Sequence, residues 1–321
     1  MAKHDSVMIT DYAWPDVEIE RSIVERAGYE LLVSPAELTV TDLDDAITTA
    51  DPAAILTCWA PISAAAIAAT TRLRVIARMG VGLDNIDVPA ATAAGAWVTN
   101  VPDYCTEEVA EHAVALILGL TRGVAAFDRS VRAGAWQPAT ARLTRLSSRT
   151  IGIVGFGRIG RRTAAILSGF GCRVLATSSK HAQDNNIGVE IAPLPTVLAE
   201  SDVVVIHAPL TDQTRHLIDA TALATIKKGA YLINVSRGGL VDTAALIHAL
   251  HSGHLAGAAL DVLEDEPVVD PALLAHPDVI VTPHVAFSSD ESLIELRTKA
   301  AQEVVRVLGG SPPLNPCNSP D

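Results

Sequence analysis

The run Gly155-Phe156-Gly157-Arg158-Ile159-Gly160 follows directly on the apolar residues 151–154, and no other stretch constrains the fold of this chain as tightly. Glycines at this spacing meet three separate needs: a tight turn, close approach of backbone to a pyrophosphate, and close packing of a helix on a strand. The helix that starts inside the run adds unpaired N–H groups and the positive end of its dipole. On its own the motif is weak evidence, and it gains force only between a strand and a helix of a βαβ unit. That context is present, with a second strand-like run at residues 173–176 and alternating helix and strand beyond it. The sequence therefore places a dinucleotide midway along the chain. One part departs from the pattern. A carboxylate ordinarily follows the second strand and accepts a hydrogen bond from the adenosine ribose 2′-hydroxyl, but this chain reads Thr177-Ser178-Ser179-Lys180 there.

At 321 residues the chain exceeds a single typical core, and two domains are expected. Hydrophobic residues make up 49%, much of it alanine, with only 4% aromatics, a composition that suits a helix-rich α/β protein and argues against disorder. Formal net charge is −13, with no block of Lys or Arg, so neither nucleic acid nor a membrane surface is an expected partner. Cys58, Cys105, Cys172 and Cys317 are widely spaced without a C-x-x-C pair, which speaks against a zinc site or a disulfide framework. Residues 1–6 are polar, and no run approaches the roughly 18 apolar residues of a membrane span, so a cytoplasmic location is expected.

Strand-like runs at residues 7–9, 29–33, 55–57, 75–77 and 96–99 alternate with Ala-rich helical stretches, such as Ile19, Ile23, Val24 and Ala27 stopping at Gly28. This predicts a small α/β unit over residues 1–100 without a glycine fingerprint of its own. Thr106-Glu107-Glu108 then opens a helix that links two units. Residues 123–149 lack clear periodicity and read as an extended arm, placed at a subunit contact. From residue 150 onward, strands are expected at 151–154, 173–176, 203–206, 231–235, 257–260 and 279–282, apolar enough to be buried parallel strands. Ser288-Ser289-Asp290-Glu291 resembles a capping box before a terminal helix expected to cross back to the first unit. The fold class is thus α/β with two doubly wound parallel sheets.

In an open parallel sheet, ligands bind beyond the carboxyl ends of the strands. Polar residues gather there: His207-Ala208-Pro209, Ser236-Arg237-Gly238-Gly239, Asp261, and Pro283-His284. Arg237, flanked by small residues, offers a planar fork of donors that suits a carboxylate or 2-oxo acid. His284 has the side chain that exchanges protons near neutrality, and a carboxylate beside it would orient it and favour its charged form. Glu264, Asp265 and Glu266 all lie just past Asp261, and spacing alone does not choose among them. Gly80-Val81-Gly82 offers backbone N–H groups in a tight loop that suits a carboxylate, although a plain turn reads the same way locally. His248, His251 and His254 spiral around a helix with no carboxylate alongside, so no metal site is expected.

With these residues in place, the chain resembles the D-isomer-specific 2-hydroxyacid dehydrogenase family over nearly its whole length. Residues 80–88, the run Val101-Pro102-Asp103-Tyr104-Cys105-Thr106-Glu107-Glu108-Val109-Ala110-Glu111-His112, and residues 234–242, 260–267 and 303–316 are most similar to its C-terminal-binding-protein-like bacterial branch. The resemblance implies a catalytic Arg237, its carboxylate partner Glu266 and the acid/base His284. It implies that Gly155, Gly157, Arg158, Ile159, Gly160, Ala208, Pro209 and Thr214 line the phosphates and adenosine side, and that Val235, Ser236 and Asp261 lie toward the nicotinamide. Gly80, Val81, Gly82 and Arg237 would bind substrate. It further implies a Rossmann-type cofactor domain at residues 101–287, inserted in a smaller flavodoxin-like substrate domain at 1–100 plus 288–321, with substrate in the interdomain cleft of a homodimer.

The family's ribose-binding Asp would align with Ser178. Its absence removes an acceptor for the 2′-hydroxyl and a repulsion against a 2′-phosphate, while Ser178, Ser179 and Lys180 could hold that phosphate. NADP is therefore favoured over NAD. Two other readings stand beside a 2-oxo acid reductase. A phosphoglycerate dehydrogenase is weakened by the absence of a C-terminal regulatory domain and by the loop Thr57-Cys58-Trp59-Ala60-Pro61, which has no Arg or Lys for a substrate phosphate. A dinucleotide-sensing corepressor-like interaction protein would share the same triad.

Overall fold

The structure, a computed structural model, describes residues 5–35, 39–141, 143–178 and 188–320. The chain divides into two compact units, Met1–Tyr104 with Ser289–Asp321, and Cys105–Ser288.

In the first unit, five parallel strands stand in the order β2-β1-β3-β4-β5. They are β1 (Ser6–Ile9), β2 (Glu30–Val33), β3 (Ala54–Thr57), β4 (Val75–Arg78) and β5 (Trp97–Thr99). This is the flavodoxin-like order of doubly wound sheets. β1, β3 and β4 are buried along their whole length, which is why they read as unbroken apolar runs. Met8, Ile47, Ile55, Ile67 and Ile76 centre the core on one face. The helix Asp290–Leu308 packs against β3 and β4 and is anchored by buried Arg297, whose Nε and Nη2 donate to Glu20. Its capping box sits one residue later than the sequence suggested: Ser289 is the cap, exchanging bonds with Ser292. Ser288 instead closes a turn, its N–H donating to Val285 O.

The second unit holds β6 (Thr150–Val154), β7 (Arg173–Thr177), β8 (Glu190–Ile191), β9 (Val203–Ile206), β10 (Ala230–Asn234), β11 (Leu255–Leu260) and β12 (Val279–Val281). They form a parallel seven-stranded sheet in the order β12-β11-β10-β9-β6-β7-β8. The order reverses between β6 and β9, so the crevice at their carboxyl ends is the switch point where such sheets bind ligands. Register pairs Val154 with both Thr177 and Ile206, bringing those strand ends level.

Two expectations need correction. β8 was absent from the reading because its two residues are both exposed at the sheet edge and leave no apolar run. Residues 123–149 are not wholly extended: a helix, Val124–Arg132, begins at Gly123 (φ 62°), and short 3-10 turns follow at Pro138–Thr140 and Leu146–Ser148. None of that helix is buried, so its sequence had no core stripe to display.

Candidate active site

The turn after β6 is built on backbone proximity. Gly155 (φ 102°) lies so close to the β9 end that a Cβ there would stand 2.6 Å from both His207 C and Ala208 N. At Gly160 a Cβ would meet Gly155 O at 2.2 Å, so the helix Arg158–Ser168 packs directly against the turn. Gly157 differs, since a Cβ there would meet nothing within 4 Å. No side chain caps this helix, and its first turn holds no acidic residue. An open glycine face beside uncapped helix N–H groups fits the pyrophosphate of a dinucleotide. Arg158 is exposed and Ile159 half-buried at the helix start.

The neighbouring strand ends are held together by local bonds. Thr214 Oγ1 donates to Pro209 O at 2.7 Å and accepts from Thr211 N at 2.7 Å, closing the loop after β9. Ser236 Oγ donates to Ile206 O at 2.8 Å, linking the β10 and β9 ends beside buried Val235. Ser178 is half-buried just past β7, whereas Ser179 and Lys180 lie outside the described residues. His207 takes a supporting place: burial pushes its imidazole down to about 4, so it is neutral near pH 7, with Nε2 3.0 Å from Thr163 Oγ1.

Arg237, Glu266 and His284 come together through three loops of the second unit. After β10, Asn234 Nδ2 donates to Arg237 O at 2.8 Å, and Arg237 Nη1 donates to Ser236 O at 2.9 Å. A Cβ on Gly238 would stand 1.9 Å from Leu263 C and 2.4 Å from Glu264 N, so only glycine lets the arginine turn lie against the segment after β11. In that segment Glu264 and Glu266 take different partners. Glu264 binds His216 Nε2 (2.6 Å) and accepts from Thr243 N (2.8 Å). Glu266 accepts from Leu263 N through Oε1 (2.9 Å) and places Oε2 2.8 Å from His284 Nδ1. Burial alone would raise the Glu266 carboxyl. The hydrogen bonds from His284 and Leu263, with the charges of His284 and Arg237, outweigh burial and hold it below the usual carboxylate range.

His284 adopts φ 50°, unusual for a residue with a side chain, and shares its N–H between Asp261 O (2.8 Å) and Thr282 O (3.0 Å). The buried Asp261 carboxylate fixes this loop. Its Oδ1 accepts from Thr282 Oγ1 (2.6 Å) and Val285 N (3.0 Å), and its Oδ2 from Ala286 N (2.9 Å). These bonds tie Asp261 to the loop that carries His284. His112 Nε2, from the helix Thr106–Thr121, lies 3.1 Å from Thr282 Oγ1 and 3.6 Å from Asp261 Oδ1. Neither His112 nor Thr282 stood out as functional in the sequence.

In the first unit, β4 runs into Gly80, Val81 and Gly82, whose N–H groups donate to no acceptor among the described residues. Val81 O accepts from Asn100 Nδ2 at 2.7 Å, which pins the turn. The loop after β3 is held by Asp11, which accepts from Cys58 N (2.8 Å), Trp59 N (2.6 Å) and Ala60 N (3.1 Å) and presents Trp59 half-exposed. The histidine series does not converge: His248 and His251 are exposed, and His254 Nε2 lies 2.8 Å from Ile226 O. Among the described residues no three His, Cys, Asp or Glu side chains cluster as metal ligands, and no single helix is long and apolar enough to cross a membrane.

Residues 114–286 match the family model "D-isomer specific 2-hydroxyacid dehydrogenase, NAD binding domain". A glyoxylate reductase of Aeropyrum pernix is 42% identical over 257 residues, covering 77% of each chain. A D-3-phosphoglycerate dehydrogenase of Mycobacterium leprae is 41% identical over 251 residues, 78% of this chain but 48% of that protein. The chain therefore spans about half the length of such phosphoglycerate dehydrogenases. The solved D-lactate dehydrogenase of Aquifex aeolicus, complexed with NAD and lactic acid, superposes with a TM-score of 0.87 at 28% identity, covering 98% of this chain and 100% of the other. The chain belongs to the D-isomer specific 2-hydroxyacid dehydrogenase family.

Proposed function

We propose that this protein is a nicotinamide-dependent D-2-hydroxyacid dehydrogenase that reduces a small 2-oxo acid, the second unit binding the dinucleotide and the first the substrate. The observation that carries the reading is the 2.8 Å pair of His284 Nδ1 and Glu266 Oε2, set at the carboxyl end of a sheet whose β6 turn fits a pyrophosphate. The bound nicotinamide supplies the hydride. With Nδ1 committed to Glu266, His284 gives its Nε2 proton to the oxygen of the nascent alkoxide, and takes it back in the oxidation direction. Glu266 holds the imidazole in place and favours its charged form. Arg237 polarises the 2-carbonyl and, with Gly80, Val81 and Gly82, is assigned to the substrate carboxylate. Asp261 acts as a positioning residue through the loop that carries His284.

Ser178 in place of an acid supports NADP over NAD, with Ser179 and Lys180 as further candidates for a 2′-phosphate. Residues 80–88 and 234–242 support membership of the C-terminal-binding-protein-like bacterial branch. A cytoplasmic homodimer follows from the same reading; exposed Val124, Val131 and Trp136 in residues 123–149 support a subunit contact there. A sedimentation mass of twice 33.6 kDa would bear this out. Phosphoglycerate dehydrogenation is the rival, favoured by the 41% identity to the Mycobacterium leprae protein. Half-exposed Trp59, with no cation in its loop, favours a less charged substrate such as glyoxylate or hydroxypyruvate. A panel of 2-oxo acids assayed with NADH and NADPH tests the proposal. No turnover of any member would overturn the activity, and a tenfold or greater preference for NADH would overturn the cofactor assignment.

A further inference from the structure

Glu264 ties two other segments to its own. Its Oε1 lies 2.6 Å from His216 Nε2, and its Oε2 accepts from Thr243 N at 2.8 Å. His216 belongs to the loop after β9, and Thr243 opens the helix Thr243–His251 that follows the Arg237 turn. Burial alone would raise the Glu264 carboxyl. The hydrogen bonds from Thr243 and His216 outweigh burial and hold it below the usual carboxylate range, so both oxygens are charged acceptors near pH 7. Hydrogen bonds to an ionised acceptor are roughly twice as strong as neutral ones, which suits a carboxylate that must hold two segments at once.

The three segments meet around the turn that carries Arg237. His216 N donates to Gly239 O at 2.8 Å, Ile218 N to Leu240 O at 2.9 Å and Asp242 N to Ile218 O at 3.1 Å, so residues 216–218 run alongside residues 239–242. On its other side the turn lies against the segment after β11, where a Cβ on Gly238 would stand 2.4 Å from the backbone nitrogen of Glu264 itself. One residue earlier, Leu263 N donates to Glu266 Oε1 at 2.9 Å. His216 delivers its ring from a left-handed backbone (φ 51°), uncommon for a residue with a side chain. A single carboxylate thus spans the loop after β9, the helix start behind Arg237 and the segment that presents Glu266.

We propose that Glu264, with His216 as its partner, is a positioning residue that fixes the Arg237 turn against the segment carrying Glu266, and so sets the spacing between the arginine and the carboxylate that orients His284. This rests on the dehydrogenase reading but concerns the placement of groups, not proton transfer itself. The loop after β9 closes on itself through Thr214, so loss of the His216 bond should leave its dinucleotide side intact. The clamp therefore acts on turnover and not on cofactor affinity.

The test measures kcat per cofactor-binding subunit, with subunits counted by fluorescence titration of the reduced cofactor, so that misfolded protein does not enter the rate. Glu264→Ala removes both bonds and should lower this kcat about tenfold to a hundredfold, the cost of misplaced reacting groups, while Kd for the reduced cofactor stays unchanged. Glu264→Gln should recover most of the loss, since its amide oxygen can accept from Thr243 N while its NH2 faces His216 Nε2. His216→Asn suits the left-handed backbone but withdraws the ring; its kcat should fall between those of Glu264→Ala and the unmodified protein, and it covers the case in which Glu264→Ala does not fold. The double variant should be no slower than Glu264→Ala alone, as expected of two residues that act as one unit. A lowered Tm with unchanged kcat per binding subunit, or a loss of kcat matched by an equal loss of cofactor affinity, would overturn the assignment. Amide hydrogen exchange reads the placement without turnover. Faster exchange at Leu240, Val241 and Leu263 in Glu264→Ala, with residues 230–234 unaffected, keeps the clamp even where no 2-oxo acid is reduced and the dehydrogenase reading falls. Unchanged exchange at those three amides would sink the clamp alone.

Discussion

Replacing Glu266 by Gln isolates the charge of the His284 partner while leaving its shape nearly intact. The amide oxygen can still accept from Leu263 N, now 2.9 Å from Oε1, so the loop after β11 keeps its anchor. What disappears is the negative charge 2.8 Å from His284 Nδ1. A hydrogen bond between charged partners contributes about 1.5–3 kcal/mol. The side chains here are 24% and 35% exposed, so solvent screening places this pair near the low end. At about 1.4 kcal/mol per factor of ten, its loss should lower kcat/KM for 2-oxo acid reduction about tenfold. The sign follows from the geometry, since the carboxylate holds His284 through Nδ1 for proton transfer. Stability should change in the complementary range. The folded Glu266 carboxyl sits below its ordinary value of 4.5, so its contribution is present above that pH and is lost as pH falls through the folded value. Glu266→Gln should therefore melt lower than the unmodified protein at pH 7 and converge with it in acid. Steady-state pH profiles with thermal melts at matched pH provide the assay. An unchanged kcat/KM, or melts that stay equally apart at every pH, would refute the charge argument and leave Glu266 a spacer.

Three further substitutions separate chemistry, cofactor binding and backbone packing. His284→Gln should lose about a hundredfold to ten-thousandfold in kcat while fluorescence titration shows unchanged affinity for the reduced cofactor; unaltered kcat would rule out its role as acid. Gly157→Ala should leave the unliganded Tm nearly unchanged, because its Cβ meets nothing within 4 Å, yet weaken cofactor binding about tenfold or more by occupying the face left for pyrophosphate. Equal affinity in that variant would mean the open face is not the phosphate site. Gly238→Ala should act differently, since its Cβ would stand 2.0 Å from Leu263 O and must push apart the loops of Arg237 and Glu266. A Tm loss equivalent to about 1–3 kcal/mol, with kcat falling about a hundredfold at unchanged cofactor affinity, would fit; normal turnover would show that the two loops need not touch.

What the sequence displayed, and what it hid, follows from where each group finds its partner. β6 and β9 are buried on both faces and so appear as continuous apolar runs, and the glycine turn between β6 and its helix carries its own spacing. Arg237 and His284 were visible because polar residues at the ends of such runs are conspicuous. β8 and the helix Val124–Arg132 bury nothing, so no periodic pattern marks them. The division of labour among Glu264, Asp265 and Glu266 was illegible for another reason. Adjacent carboxylates are equivalent until the fold sends Glu264 to His216 and Thr243 and Glu266 to His284.

The least legible groups are those whose partners are backbone. Asp261 holds the histidine loop through the N–H groups of Val285 and Ala286, and backbone donors carry no signature in a sequence. His112 and Thr282 join that network from positions 170 residues apart, a separation no local pattern spans. Spacing can therefore nominate the groups that exchange protons in this family. The groups that hold them in place emerge only when burial is set against the partners each charge has found.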